Sequence, residues 1–316
     1  IHLRYRAFSL LSQQLVRGMG AASATKTSKK ASSKTTDGSS KTAGDVDGVA
    51  RFLLLFQNKL ASKFKVEKSE GKEEYYLYCA ETGVKKSFWH DIPIQEQTNS
   101  KYEFSFVCEI PSSRLAKLEV EKTVKGNPIL QDVKTHPVHK NKVPRFYYIF
   151  PTFNYGIIPQ TYDSPKPHPE ADNYGISWSN LGDDDPIDVL ELSGVPCCVG
   201  DIFNVSVFGC FPLVDQGELD YKILAIRSDH ELAVFFINAQ KKIKNIKDFQ
   251  NLFPEKFDYL AEWFVRYKKY EGKKNVNYIM KNFMEIDRDQ TVEIIKATHK
   301  SWVDQLKNND YVYTKS

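Results

Sequence analysis

Five carboxylates fall within the ten residues Gly182-Asp183-Asp184-Asp185-Pro186-Ile187-Asp188-Val189-Leu190-Glu191, and no other stretch limits the possible folds so strongly. Like charges at this spacing repel, and burying one of them without a partner is costly. An acidic run is ordinarily a solvated loop or the first turn of a helix. Here Pro186 restricts the backbone, and Ile187, Val189 and Leu190 demand a core. Asp183 and Asp185, two residues apart, are expected on one side of an extended chain. A fold that buries the apolar residues must then bring something cationic to the acids. Hard carboxylate oxygens suit Mg2+, which also prefers water and phosphate oxygens.

The 316-residue chain is 41% hydrophobic and 13% aromatic, enough for one large or two small globular domains. No apolar run approaches the roughly 20 residues of a membrane-spanning helix. The run from Phe52 to Phe56 is followed at once by Gln57, Asn58 and Lys59. The net charge of +4 is unevenly placed: residues 1–44 hold eight Lys or Arg against one acid, Asp37, so they contribute +7 and leave −3 for the rest. A mildly acidic body argues against a nucleic-acid footprint. The five cysteines have no metal-binding spacing, and the adjacent pair Cys197-Cys198 is a poor disulfide, so reduced, intracellular, mostly buried thiols are expected.

Residues 1–48 read as a disordered or targeting extension, rich in Ser, Thr, Ala and Lys and opening on the amphipathic Arg4-Tyr5-Arg6-Ala7-Phe8-Ser9-Leu10-Leu11. Residues 49–316 read as a single domain, entered by a short helix on Val49, Phe52, Leu53, Phe56 and Leu60. Strands are expected over 75–80, 102–109, 115–120, 145–150, 189–192, 202–211, 222–226 and 232–236, separated by Gly, Pro, Asn and Asp clusters. Helices return late, with Trp263, Tyr267 and Tyr270 on one face and Val292, Ile295, His299, Trp302 and Leu306 on another. The fold class is α+β and β-rich, a barrel or curled sheet with helices packed outside.

A second group of charges lies in Asp215-Gln216-Gly217-Glu218-Leu219-Asp220-Tyr221-Lys222, where Gly217 suits a turn and Asp220 and Lys222 project to one face. Glu109-Ile110-Pro111 ends one strand, and Lys117-Leu118-Glu119-Val120-Glu121 alternates polar with apolar residues. Arg145 opens the aromatic run Phe146-Tyr147-Tyr148-Ile149-Phe150, Asn154-Tyr155-Gly156 follows, and Tyr267-Lys268-Lys269 closes the late helix. Singly, these are an ordinary hairpin tip, a solvent face, an aromatic core and lysines that complement a helix dipole. Their weight comes from occurring with the acidic decapeptide.

Together they resemble the soluble family I inorganic pyrophosphatases of the eukaryotic type. The decapeptide is similar to that family's signature, with Asp184 where Asn is more usual. The likeness continues, in order, through Glu109-Ile110-Pro111, Ala116-Lys117-Leu118-Glu119, Arg145-Phe146, Asn154-Tyr155-Gly156, Pro159-Gln160-Thr161, Asp215 to Lys222, and Glu262-Trp263-Phe264 to Lys268. Ser87-Phe88-Trp89-His90-Asp91-Ile92-Pro93 resembles a feature of the larger eukaryotic branch. The resemblance implies a five-stranded OB-like barrel with flanking helices and N- and C-terminal extensions. It implies Mg2+ held by Asp183, Asp185, Asp188, Asp215 and Asp220, with Glu119 and Glu109 beside the metals and Asp185 as the base. Lys117, Arg145 and Tyr155 would act in catalysis and, with Lys222, Tyr267 and Lys268, hold phosphate. A cytoplasmic homodimer is implied, or an organellar one if residues 1–44 are a transit peptide. Asp184 and Glu191 are left as a solvated face. Two departures stand out: Pro151 occupies the place of a second phosphate-site tyrosine, for which Tyr147 or Tyr148 would substitute, and residues 171–181 look like an insertion bordering the entrance.

The expected function is therefore hydrolysis of inorganic pyrophosphate to two phosphates by direct in-line attack of water. Two or more metals can activate and orient that water and neutralise the leaving phosphate. A noncatalytic OB-like binding scaffold is the first alternative, but unused buried carboxylates would burden stability. The second is a two-metal phosphatase acting on a small organic phosphate; the lack of a Gly-rich nucleotide loop speaks only against nucleotides.

Overall fold

The computed structural model describes residues 60–95, 100–165, 182–215, 218–228, 243, 245–272, 277–279 and 286–308. The expected extension 1–48, the helix from Val49 onward save Leu60, the 171–181 insertion, the strand 232–236 and the Gln216-Gly217 turn lie outside the described residues. All described residues belong to one compact unit, Gly48–Ser316.

In chain order the strands are β1 (Phe64–Lys68), β2 (Glu74–Cys79), β3 (Lys85–Lys86), β4 (Glu103–Ile110), β5 (Leu118–Val120), β6 (Ile129–Gln131), β7 (Val133–Thr135) and β8 (Lys142–Pro144). They continue as β9 (Asn154–Ile157), β10 (Asp188–Glu191), β11 (Ile202–Asp215), β12 (Glu218–Arg227) and β13 (Tyr278–Ile279). The helices are α1 (Ile246–Leu252), α2 (Pro254–Tyr270) and α3 (Arg288–Asn308).

Five strands close on themselves. β9 lies antiparallel between β4 and β10, β4 pairs with β11, β11 with β12, and β12 returns parallel to β10. Closure removes the exposed edges that an open sheet would leave, and gives the five-stranded barrel expected of the family. A second sheet, ordered β1-β2-β6-β5 with β3 on β2, and the β7–β8 hairpin complete the strands.

The central strands are apolar on both faces because both are covered. β11 sends Phe203, Val205, Val207 and Cys210 into one cluster and Ile202, Phe208, Phe211 and Leu213 into another. Val292, Ile294 and Ile295 of α3 join the first; Phe249 of α1 and Phe257, Leu260, Trp263 and Phe264 of α2 join the second. Each such side chain fully buried contributes about 1.5–3 kcal/mol. Asn245 caps α1 by accepting from Asp248 N at 3.0 Å, and Pro254 opens α2, where its missing N–H costs nothing. Tyr270, expected on the buried face of α2 with Trp263 and Tyr267, is 53% exposed because the last turn runs past the core.

The aromatic run 145–150 does not form the expected strand. Ala116 and Phe146 make only an isolated bridge, and Phe146, Tyr148 and Phe150 face outward while Tyr147 is buried. Further on, the carbonyls are claimed by other groups: Ile149 O by Trp263 Nε1 at 3.3 Å, Phe150 O by Tyr259 Oη at 2.7 Å, and Pro151 O by Ser113 N at 2.8 Å. These partners bend the chain away from any ladder.

Ser87-Phe88-Trp89-His90 forms a buttress. Ser87 Oγ accepts from Trp89 N and His90 N at 3.1 and 2.9 Å, and Trp89 Nε1 donates to Thr161 O at 2.7 Å. That last bond fixes the segment leading into the acidic loop.

Candidate active site

Strand register decides which side chains meet. Asp188 of β10 stands opposite Lys222 of β12, and Leu190 stands opposite Tyr155 of β9. With a period of two, Asp188, Tyr155, Lys222 and Asp220 share a face. Lys222 Nζ pairs with Asp188 and, at 2.6 Å, with Asp220 Oδ1. It also donates to Tyr155 Oη at 2.8 Å, and that hydroxyl donates to Asp188 Oδ2 at 2.5 Å. Burial pulls the Lys222 pKa down, but Asp188 and Asp220 outweigh it and hold the ammonium well above its usual range.

The acidic loop is not extended, contrary to expectation. Asp184 has φ 68°, a left-handed conformation that Asp and Asn tolerate better than most residues. That preference accounts for an Asp where Asn is usual. Asp184 N donates to Asp163 O at 2.9 Å, and Asp163 N to Asp185 O at 2.8 Å. Gly182 crosses Asp163 so closely that an added Cβ would lie 2.3 Å from Asp163 Oδ1. Despite the turn, Asp183 and Asp185 both line the cavity. Asp184 is partly exposed, but its carboxylate is held by Tyr162 and, at 3.1 Å, by Lys122. Glu191, expected in solvent, is fully buried. It accepts from Asn154 Nδ2 at 2.8 Å, Ser193 N at 2.8 Å and Arg227 N at 2.9 Å, pegging β9, β10 and β12 together.

Four further segments complete the enclosure. A register shift between Cys108 and Ile110 frees Glu109 from the ladder, and its Oε1 accepts from Val120 N at 2.7 Å. Lys117 pairs with Glu119 and, at 3.1 Å, with Asp132. Arg145 is gripped by Asp132 at 2.9 Å and by Glu271, just past α2, at 2.8 Å. From the last turn of α2, Tyr267 donates to Asp215 Oδ2 at 3.2 Å and Lys268 pairs with the same oxygen.

Most of these groups border one cavity of about 200 Å³, with Asp132, Asp163, Asp184, Glu191 and Glu271 behind its wall. Glu109, Lys117, Glu119, Arg145, Tyr155, Asp183, Asp185, Asp188, Asp215, Asp220, Lys222, Tyr267 and Lys268 are each found on its wall. Of the two candidate substitute tyrosines, Tyr147 lines it and Tyr148 is 61% exposed elsewhere. Four charged residues went unanticipated. Lys122 sits 2.6 Å from Asp185 Oδ1, and Asp132 and Glu271 hold Arg145. Asp163 braces the acidic loop. Glu271 could have been found, since it lies four residues after Tyr267 on a helical face, and Asp163 directly follows the Pro159-Gln160-Thr161-Tyr162 segment.

The acids strain one another. Burial, then repulsion from neighbouring carboxylates, pushes Glu109 and Asp183 well above the usual range. Burial also raises Asp185, with Lys122 opposing. Asp220 is pushed up to about 7, burial again leading and Lys222 opposing. Two observations show that a divalent cation fits. Carboxylate oxygens of Asp183, Asp188 and Asp220 lie within 4.8 Å of one another. Among the described residues, Asp215 Oδ1 is buried with no hydrogen-bond partner, the position of an oxygen awaiting a ligand. The donor set is entirely hard oxygen.

Residues 106–303 match the family model described as inorganic pyrophosphatase. The inorganic pyrophosphatase of Zygosaccharomyces bailii is 34% identical over 232 residues, covering 72% of this chain and 74% of that protein. The soluble inorganic pyrophosphatase 1, chloroplastic, of Chlamydomonas reinhardtii is 31% identical over 242 residues, covering 76% and 78%. Among solved structures, the N-terminally truncated vacuolar soluble pyrophosphatase of Trypanosoma cruzi in complex with PPi superposes with a TM-score of 0.62 and 28% identity, covering 77% of this chain and 90% of that one. A barrel closed in the family's way, its cavity walled by acids and cations, and similarity along most of the chain converge: this protein belongs to the family I inorganic pyrophosphatases.

Proposed function

We propose that this inorganic pyrophosphatase cleaves pyrophosphate to two phosphates in the cavity between β9, β10, β12 and α2, with Mg2+ as its cation. The observation that carries the reading is the convergence of both charges on one cavity: Asp183, Asp188, Asp215 and Asp220 as hard-oxygen donors, interleaved with Lys117, Arg145, Lys222 and Lys268. A cavity of about 200 Å³ suits an inorganic anion; drug-sized ligands need about 300–1,000 Å³.

Asp183, Asp185, Asp188, Asp215 and Asp220 would hold the ions, with Glu119 and Glu109 at the margin. Bound divalent cations supply charge neutralisation and acidify coordinated water. Asp185 takes the proton from the attacking water, and Lys122 at 2.6 Å keeps its carboxylate aimed. Arg145, fixed by Asp132 and Glu271, presents its guanidinium to one phosphoryl group. Lys117, Lys222 and Lys268 neutralise the rest, while Tyr155 and Tyr267 donate neutral hydrogen bonds that steady the transferring group without adding charge. Each of these lysines already neutralises an acid, so a phosphate that draws it away leaves that acid in need of a cation. Substrate and metal binding are thereby coupled.

The catalytic domain is residues 49–316 and the working form a cytoplasmic homodimer, with an organellar location if residues 1–44 act as a transit peptide. Support comes from the eukaryotic-type Ser87–Pro93 segment and from free thiols at all five cysteines. Phosphate release from pyrophosphate is expected with Mg2+, and is abolished by chelator. If pyrophosphate stays intact while a small phosphoester is cleaved, the substrate assignment is wrong. Light scattering checks the dimer.

A further inference from the structure

Away from the active-site cavity, two thiols face each other across a strand–loop junction. Cys108 of β4 is fully buried, and its Sγ lies 3.1 Å from Sγ of Cys197 on the loop after β10. The backbone there is already fastened: Cys108 N donates to Asp201 O at 2.9 Å, Gly200 N donates to Cys108 O at 2.7 Å, and Cys198 N donates to Asp201 Oδ2 at 2.7 Å. A disulfide sulfur–sulfur bond is about 2.05 Å long, so the two sulfurs need approach by only about 1 Å. The two thiols differ in access. Cys197 is partly exposed and borders a cleft of about 500 Å³ that it shares with Cys198, Ser112 and Arg114. Cys108 has no such opening and meets the cleft only through Cys197.

We infer that Cys108 and Cys197 are a modification site, a dithiol that hydroperoxides convert reversibly into an intramolecular disulfide. A small hydroperoxide enters the cleft, and the Cys197 thiolate attacks its outer oxygen. The O–O bond breaks, a sulfenic acid forms on Cys197, and the peroxide's other oxygen leaves as water or alcohol. Cys108 sulfur then attacks the sulfenic sulfur. The S–S bond forms, the S–OH bond breaks, and hydroxide leaves as water with the Cys108 proton. Two thiols have lost two electrons in total and one peroxide has gained them. A dithiol reductant reverses the reaction. Cys198 is exposed but adjacent in sequence to Cys197, where ring strain disfavours pairing. The bond staples the loop to the strand that carries Glu109 and closes a long stretch of chain, which limits the unfolded ensemble.

The test uses the full chain treated with a stoichiometric amount of hydrogen peroxide, then alkylated in denaturant. Titratable thiols are expected to fall from five to three, with peptide mapping joining Cys108 to Cys197 and dithiothreitol restoring all five. Tm rises by several degrees on oxidation, while pyrophosphate hydrolysis stays within about twofold, because the bond joins groups already in contact. Cys108→Ser places a hydroxyl in the core and risks misfolding, so the loop variants decide. Cys197→Ser removes the crosslink and the Tm response; Cys198→Ser keeps both. Five thiols after oxidation, a bond between Cys197 and Cys198 or between two chains, or loss of the crosslink in Cys198→Ser overturns the assignment. Activity lost in step with crosslinking overturns the claim that the bond only joins groups already in contact.

Discussion

At the scale of single residues, the cavity separates groups that do chemistry from groups that hold them. Of the two acidic-loop carboxylates that meet Lys122, Asp185 is the nearer, with Lys122 Nζ 2.6 Å from its Oδ1 against 3.1 Å for Asp184, and it alone of the two lines the cavity. Asp185→Asn keeps the shape and removes the base, so kcat is expected to fall by about 10²–10⁴-fold with little change in Tm. Steady-state phosphate release beside a thermal melt checks this. Tyr147 gives a second, sharper comparison. Its ring packs edge-on against Trp263 and Tyr267, with centroids 5.1 and 5.7 Å apart, so Tyr147→Phe keeps the packing and deletes only the hydroxyl on the cavity wall. A hydrogen bond to a charged group is worth about 1.5–3 kcal/mol, which predicts a loss of about 10–100-fold in kcat/KM. Tyr148→Phe, at an exposed position, leaves kcat/KM unchanged; equal effects from the two would remove Tyr147 from the site.

Among elements, the tightest constraint is the approach of β9 to β4. A Cβ at Gly156 would lie 1.9 Å from Val107 O, a backbone atom that cannot step aside without parting the barrel. Overpacking usually costs about 1–3 kcal/mol, and Gly156→Ala is expected at or above the top of that range, read as a lowered urea midpoint with activity lost through misplacement of Tyr155. The elements also show where the sequence was readable. Apolar and aromatic runs bounded by Gly, Pro, Asn and Asp clusters located β2, β4, β10, β11 and β12 to within a few residues, because a strand buried on a core advertises itself locally. Barrel closure depended on β10 running parallel to β12, a pairing of distant segments that no local pattern encodes. In the run 145–150 an aromatic composition suited a strand equally well, and only the distant donors Trp263, Tyr259 and Ser113 decided otherwise. The acids and cations of the motifs were legible in advance. Asp132 and Lys122 were not, since each stands in ordinary polar surroundings until folding brings Arg145 or Asp185 beside it.

For the whole molecule, concentrating this many acids makes stability depend on pH and on cations together. Asp220 titrates near 7 in the folded protein because of burial, partly opposed by Lys222 and reinforced by Asp188, whereas an unfolded Asp titrates near about 3.9. Between those values the folded state retains a proton that the unfolded state has released, so unfolding free energy falls as pH rises. Glu109, Asp183 and Asp185 are raised as well and act in the same direction. Asp132 and Glu73, held below the usual range with Lys117 and Lys68 among the opposing charges, matter only below about pH 4, where their contribution is lost. In chelator, then, Tm is expected to decline from pH 5 to pH 7.5 and level off above it. Saturating Mg2+ binds the deprotonated cluster, stabilises the folded state in proportion to its occupancy, and flattens or reverses the decline. Asp220→Asn removes one of these titrating groups and should make the chelated decline shallower without any metal. Differential scanning calorimetry across this range decides the matter: a Tm that climbs between pH 5 and 7.5 in chelator would mean that the carboxylates are already neutralised by their lysines and do not require a cation.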